Sequence, residues 1–182
     1  QGMHGLVGNE GLEFGDLDEE LSKPTDLRIF AIAAAFEKGY TIGRIYELTK
    51  IDPWFLERLK NIYDYSLVLK KYSKIEEVPA EVLFEAKRLG FSDFQIARFV
   101  ESPEGTLEKE SLRVRAARHK ANVLPTVKRI ETVASADPEL TNYLYFTYDG
   151  KEHDIPFFKN ERSVVVLGSG AYRIGSSVEF DW

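Results

Sequence analysis

The residues best suited to chemistry lie near the end of the 182-residue chain. The apolar run Val164-Val165-Val166-Leu167 leads into Gly168-Ser169-Gly170-Ala171-Tyr172-Arg173-Ile174-Gly175. A strand, a glycine-rich turn and a helix start form the opening of a nucleotide-type α/β unit, because glycine lets backbone N–H groups come close to a ligand. Gly168, Gly170 and Gly175 are therefore the candidate binding positions. Their spacing is G-x-G-x-x-x-x-G, not the G-x-G-x-x-G dinucleotide fingerprint. No crossover helix or second strand follows, so the strand at 164–167 is expected to be an orphan and the chain a piece of a longer protein. His4, His119 and His153 are far apart and lack metal-ligand spacing. Neither a nucleophile elbow nor a Ser–His–Asp signature is present. No catalytic residue, metal or cofactor is expected within this chain.

A second chemistry is nucleic-acid recognition. Gly90-Phe91-Ser92-Asp93-Phe94-Gln95-Ile96-Ala97, then Thr106-Leu107, then Arg113, Arg115, Arg118 and Lys120, reads as a helix-turn-helix whose later helix carries basic residues. Residues 104–120 hold five basic and three acidic residues, a surplus of only two. The formal charge of the whole chain is −6, which opposes the basic footprint that phosphate neutralisation needs. DNA binding is thus the alternative reading, and no nucleic-acid partner is expected.

A hydrophobic content of 43% and a charged content of 30% place the sequence among globular proteins. The absence of cysteine removes disulfides and thiolate metal sites. No apolar run approaches the ~20 residues that cross a bilayer, and Gln1-Gly2-Met3 does not open a charged-then-apolar signal. No membrane partner and a cytoplasmic location are expected. Glu10, Glu13, Asp16, Asp18, Glu19 and Glu20, with no basic residue among them, read as a solvated connector.

The elements that must position these residues read as helices. Thr25 or Asp26 offers a cap for a helix with an apolar stripe of Ile29, Ala33 and Phe36, widened by Phe30 and Ile32 and stopped by Gly39. Thr41 caps a short helix through Leu48. Asp52-Pro53 starts the next, whose face is Phe55, Leu59, Ile62 and Leu69, broadened by Leu56, Tyr63 and Leu67. A further helix runs from Pro79 to Leu89 and stops at Gly90; Ser92 caps another; Ser102-Pro103 starts one ending near His119. Gly39-Tyr40-Thr41 is echoed by Gly90-Phe91-Ser92, Ile45 by Ile96 and Leu48 by Phe99. This reads either as two related helical hairpins packed face to face or as the ordinary punctuation of any helix pair. After residue 120, Val123–Val127 and Ile130–Val133 are β-branched and extended or irregular, 141–148 is a strand or a strap over the bundle, and 149–162 is a linker.

Several of these stretches, taken in order, resemble the central connecting segment of the carbamoyl-phosphate synthase large subunit, its oligomerisation domain. Met3-His4-Gly5-Leu6-Val7-Gly8 is similar to the tail of the first ATP-grasp module, and Asp26-Arg28-Ile29 with Ala31 through Gly39 to the first connecting helix. Leu48-Thr49-Lys50-Ile51-Asp52 with Trp54-Phe55-Leu56, and Lys87-Arg88-Leu89-Gly90-Phe91-Ser92-Asp93, resemble two family motifs. Lys128-Arg129-Ile130-Glu131-Thr132, Tyr143-Leu144-Tyr145-Phe146-Thr147-Tyr148, and Leu167-Gly168-Ser169-Gly170 through Glu179-Phe180-Asp181 follow in the family's order. Ala171 and Ser176 stand where the family commonly has Pro and Gln. The resemblance implies a parent enzyme that makes carbamoyl phosphate from bicarbonate, glutamine-derived ammonia and two ATP, with ATP and Mg2+ bound in modules absent here. It implies a mainly α fold: a compact bundle of about six helices, an irregular or extended C-terminal segment, and one orphan strand from a following α/β domain. The implied division is 1–13, tail of the preceding ATP-grasp module; 14–148, helical connection and oligomerisation domain; 149–162, linker; 163–182, first strand and glycine turn of the second synthetase half. The implied partners are the ATP-grasp halves of the same polypeptide, a glutaminase subunit or domain, and further copies through self-association.

Overall fold

The computed structural model describes residues 3–9, 11–100, 106–130 and 144–157. The expected orphan strand and the candidate glycines Gly168, Gly170 and Gly175 lie outside these residues. Within them are seven α-helices and one two-stranded sheet, so the mainly α bundle stands, with one helix more than about six.

The additional helix, α1 (Leu17–Ser22), corrects the reading of the second half of the acidic run as a solvated connector, while residues 11–15 before it hold no helix. The Asp16 carboxylate accepts hydrogen bonds from the backbone of Asp18 (2.9 Å) and Glu19 (3.3 Å). Asp18, Glu19 and Glu20 then occupy the first turn, where the positive end of the helix dipole favours them, while Leu17 and Leu21 turn inward. A run of charge is compatible with a helix when its few apolar residues recur at i, i+4.

α2 (Arg28–Glu37) starts after Leu27, a position with no side-chain cap, and not at a Thr25 or Asp26 cap. Phe30, Ala31, Ile32, Ala33, Ala35 and Phe36 are buried, whereas Ile29, expected on the stripe, is exposed. The helix packs on α1 and on α4, so its apolar surface wraps round more than one face. The alanines permit that close approach on both sides.

Two helix-to-helix corners follow one geometry. Gly39 takes φ +78°, and Tyr40 N donates to Ala35 O at 2.9 Å. Thr41 Oγ1 then accepts from Arg44 N at 3.2 Å, opening α3 (Ile42–Thr49). At the end of α5 (Ala80–Arg88), Gly90 takes φ +91°, and Phe91 N donates to Ala86 O at 3.0 Å. Ser92 opens α6 (Asp93–Val100). Both are Schellman endings, in which a left-handed residue lets the chain satisfy the last carbonyls. Asn122, at φ +57°, ends α7 (Leu107–Lys120) in the same way, with Val123 N bonded to Arg118 O at 2.7 Å. The helix stops are therefore general punctuation, but the paired corners also place Ile45 and Ile96 alike, each fully buried. Of the last helix start, Ser102 and Pro103 lie outside the described residues; α7 itself begins at Leu107.

α4 (Pro53–Leu69) is the spine joining two hydrophobic clusters. Its first half packs with α1, α2 and α3 around Leu21, Ile32 and Ile45; its second half meets α5, α6 and α7 around Leu83, Phe91 and Val114. Tyr63 packs on both. The inward face is Leu56, Ser66 and Leu69; Phe55 and Leu67, expected on that face, point outward.

β1 (Thr126–Arg129) and β2 (Leu144–Thr147) pair antiparallel, Val127 opposite Phe146. Residues 149–157 hold no helix or strand and run along the other edge of β1. Val127 N donates to His153 Nδ1 (3.0 Å), Asp154 N to Val127 O (2.9 Å) and Arg129 N to Asp154 Oδ2 (2.9 Å). Tyr148 packs onto the second cluster, so the extended segment is fastened to the bundle.

Candidate functional site

An exposed, locally ordered cluster of aromatics lies at the start of α4. Thr49 Oγ1 donates to Ile45 O at 2.7 Å and accepts from Ile51 N at 3.1 Å; Lys50 takes the left-handed conformation, φ +59°. Asp52 Oδ1 then accepts from Trp54 N at 2.8 Å, with Pro53 in the first helical position. These bonds fix the turn that carries Trp54 and Phe55. The two side chains are 56% and 57% exposed, edge to face, with ring centroids 4.9 Å apart. The Arg58 guanidinium lies 5.1 Å from the Trp54 ring centroid, and Lys50 Nζ lies 5.7 Å from that of exposed Tyr46. Rigid aromatics beside cations have the composition of a protein contact: large apolar area held at little entropic cost.

A second cluster is part-buried where α5, α6 and α7 meet. Asp93 Oδ1 accepts from Lys87 Nζ at 2.9 Å, and Arg118 Nε donates to both Asp93 oxygens at 2.9 and 3.0 Å. The side chains of Lys87, Asp93 and Arg118 are 10%, 18% and 12% exposed. Lys87 Nζ also donates to Phe91 O at 2.8 Å, and the Tyr148 ring lies 5.5 Å away. With two cations on one carboxylate and a tyrosine overhead, the group has no open face for a substrate. Its chemistry is that of a latch.

Tyr65 sits nearby, on the same core, with its hydroxyl donating to Val82 O at 3.0 Å. Burial pushes its phenol up to about 12, and burial also raises that of Tyr148. The folded state therefore favours the neutral phenol, while the unfolded chain ionises near its ordinary value of 10.0. That stability is fully present below pH 10 and is lost as pH rises through about 12. Absorbance of phenolate at 295 nm should show tyrosines that ionise only at strongly alkaline pH, together with unfolding. Titration of all tyrosines as a single class near 10 in the folded protein would contradict this burial.

A groove of about 360 Å³ lies between the lead-in residues 6–9, α2, α4 and the end of α6. Its walls are apolar through Leu6, Phe30 and Phe99, with Glu37, Lys70 and Arg98 at its edges.

Of the residues singled out by sequence, Gly168, Gly170 and Gly175 are not among those described. His4 stacks on Phe94, with ring centroids 4.4 Å apart; His153 accepts from the β1 backbone; His119 lies in the last turn of α7. The structure brings none of the three histidines together, and among the described residues no group of three or more His, Cys, Asp or Glu could hold a metal ion. The DNA-groove alternative loses its basis. Arg113 is paired with Glu110 and Glu76, both at 2.8 Å, and Arg118 is taken by Asp93. No helix among the described residues is long and apolar enough to cross a membrane. Sequence reasoning missed the Lys87–Asp93–Arg118 latch, although Lys and Asp flanking a Gly-aromatic-Ser corner was a usable signal. It also placed Phe55 inside.

Comparison with known proteins bears on the same residues. The family model described as the carbamoyl-phosphate synthetase large chain, oligomerisation domain, matches residues 1–122. The chain is 55% identical to the multifunctional protein CAD of Squalus acanthias over 165 residues, 91% of this chain and 7% of that protein. It is 48% identical to the multifunctional protein URA2 of Saccharomyces cerevisiae over 168 residues, 92% of this chain and 7% of that protein. It is 46% identical to the mitochondrial arginine-specific carbamoyl phosphate synthase large chain of Neurospora crassa over 178 residues, 97% of this chain and 14% of that protein. The chain thus spans a small fraction of the curated relatives it matches.

Proposed function

Because the chain belongs to the family of carbamoyl-phosphate synthetase large-chain oligomerisation domains, we propose that it is a mechanical part: a connector that spaces two ATP-using halves and associates with further copies of itself. The parent is an ATP-dependent ligase that binds ATP and Mg2+ in the flanking modules and receives ammonia from a glutaminase subunit or domain. The helical segment contributes no catalytic residue. The parent acts in the cytoplasm. Residues 1–13 are the tail of the preceding module, 14–148 the connector, 149–162 a linker and 163–182 the start of the second half.

The observation that carries this reading is the pair Trp54 and Phe55, more than half exposed yet held on a capped helix start. Two aromatics left outside a well-packed core supply a ready anchor for a second copy. Central aromatics of an interface contribute ~2 kcal/mol or more each, so a Trp54→Ser/Phe55→Ser double variant is expected to weaken self-association at least about tenfold. Its melting temperature should be close to that of the parent chain, since little core is lost. Sedimentation equilibrium reads the change. An unaltered association constant in the double variant would remove this surface from the reading, and reading frames without ATP-grasp modules on either side would remove the connector itself.

A further inference from the structure

The lead-in residues 3–9 are built into α6. Val7 is buried in the core of the second cluster. Gln95 Nε2 donates to Val7 O at 3.2 Å, and Arg98 Nη1 donates to Gly8 O. His4 stacks on Phe94, and the Arg98 guanidinium lies 5.3 Å from the same ring centroid. The backbone comes so close that only glycine fits. Gly5 and Gly8 have φ of +100° and +77°. A Cβ at Gly5 would meet the Gln95 amide at 2.6 Å, and one at Gly8 would meet the Phe99 ring at 2.7 Å. Asn9 closes the turn, with its side chain donating to Gly5 O at 2.8 Å and accepting from His4 N at 3.2 Å.

We infer that α6 is a docking rail for the incoming chain, and that Gln95 and Arg98 are the positioning residues that set the direction from which the preceding module enters. This rests on the connector reading and gives it a mechanism. A connector holds its two halves at a defined spacing only if the entering chain cannot pivot. Left-handed glycines at both ends of a buried valine, bonded on two carbonyls by one helix face, remove that freedom.

Gln95 has two separable duties. Its Oε1 accepts from Ser92 N at 3.1 Å while Ser92 Oγ accepts from Gln95 N at 3.1 Å, a reciprocal capping box that opens α6. Its Nε2 holds the lead-in. Glutamate serves a capping box as well as glutamine, but has no N–H to offer Val7 O and sets a carboxylate against it. Gln95→Glu therefore keeps the helix start and releases the rail.

The 182-residue chain has no cysteine, so Met3→Cys and Glu57→Cys give two unique sites for nitroxide labels. Double electron–electron resonance, with labelled chains diluted in an excess of unlabelled chain so that only pairs within one chain are read, should show one narrow distance distribution in this background. Gln95→Glu and Gly8→Ala should each broaden it several-fold, with the far-ultraviolet circular dichroism of the helices retained. Gly15→Ala, where a Cβ meets nothing within 4 Å, should leave it narrow. If Gln95→Glu loses its helical signal, Arg98→Met, which removes the bond to Gly8 O without touching the cap, decides instead. A distribution as narrow in the release variants as in the parent chain overturns the inference, as does a broad distribution before any substitution. Either result leaves the connector reading to its own test by association and reading frame.

Discussion

Asp93→Ala is expected to destabilise the fold by about 2–3 kcal/mol, because two part-buried cations lose the carboxylate they are hydrogen-bonded to. Lys87 and Arg118 are both nearly inaccessible, and Asp93 is the carboxylate on which they converge. Removing it leaves two positive charges facing each other across the α5–α7 contact with little solvent to screen them. For a chain of this size the loss corresponds to a fall in melting temperature on the order of 10 °C. Thermal unfolding followed by circular dichroism measures it. A melting temperature within about 3 °C of the parent chain would mean that water already screens the cluster. Asp18 provides the contrast. It pairs with Arg44 at 2.8 Å and accepts from Tyr40 at 2.9 Å, and these bonds hold its carboxyl below the ordinary carboxylate range. Both partners are about half exposed, so Asp18→Ala should shift stability far less than Asp93→Ala.

Phe91→Ala should cost somewhat more, about 3–5 kcal/mol, by a different route. Its side chain is 2% exposed, packed between Tyr65 and Phe99 with ring centroids 6.3 and 6.0 Å away. Truncation leaves a cavity lined by rings on separate helices, which cannot collapse inward without moving α4 or α6. It also loosens the corner whose Phe91 carbonyl receives Lys87. The two substitutions share partners, so the double variant should be less destabilised than the two single effects added together. Urea unfolding of the three variants checks both claims. Phe84→Ala, on the exposed side of α5, serves as the control of like chemistry and should change little. A Phe91→Ala chain as stable as Phe84→Ala would show that the second cluster is loosely packed.

Both effects fall within Lys87-Arg88-Leu89-Gly90-Phe91-Ser92-Asp93, one of the stretches that carry the family resemblance. Every position with a strong constraint there has a structural duty: Gly90 for the left-handed stop, Phe91 for the core, Ser92 for the cap, Lys87 and Asp93 for the latch. In this chain the stretch serves folding.

Local chemistry determined much of this from the sequence alone. Gly39, Thr41, Asp52-Pro53, Gly90 and Ser92 each act through groups within a few residues, so the helix boundaries they set could be read without a fold. The order of motifs sufficed for the family, since it asks only for sequence. What tertiary structure decided depends on which surface meets which. Phe55 and Leu67 satisfied a helical apolar period, but α4 turns Leu56, Ser66 and Leu69 inward because it must face two clusters at once. The second half of the acidic run became α1 because Leu17 and Leu21 found α2 and α3 to cover them. The pairing of Asp93 with Arg118, twenty-five positions away, and of Gln95 with Val7, eighty-eight away, has no local signature. A side chain's local bonds follow from its neighbours in the chain; its partner across the core is fixed only when the helices have packed and left one charge or one amide facing one available group.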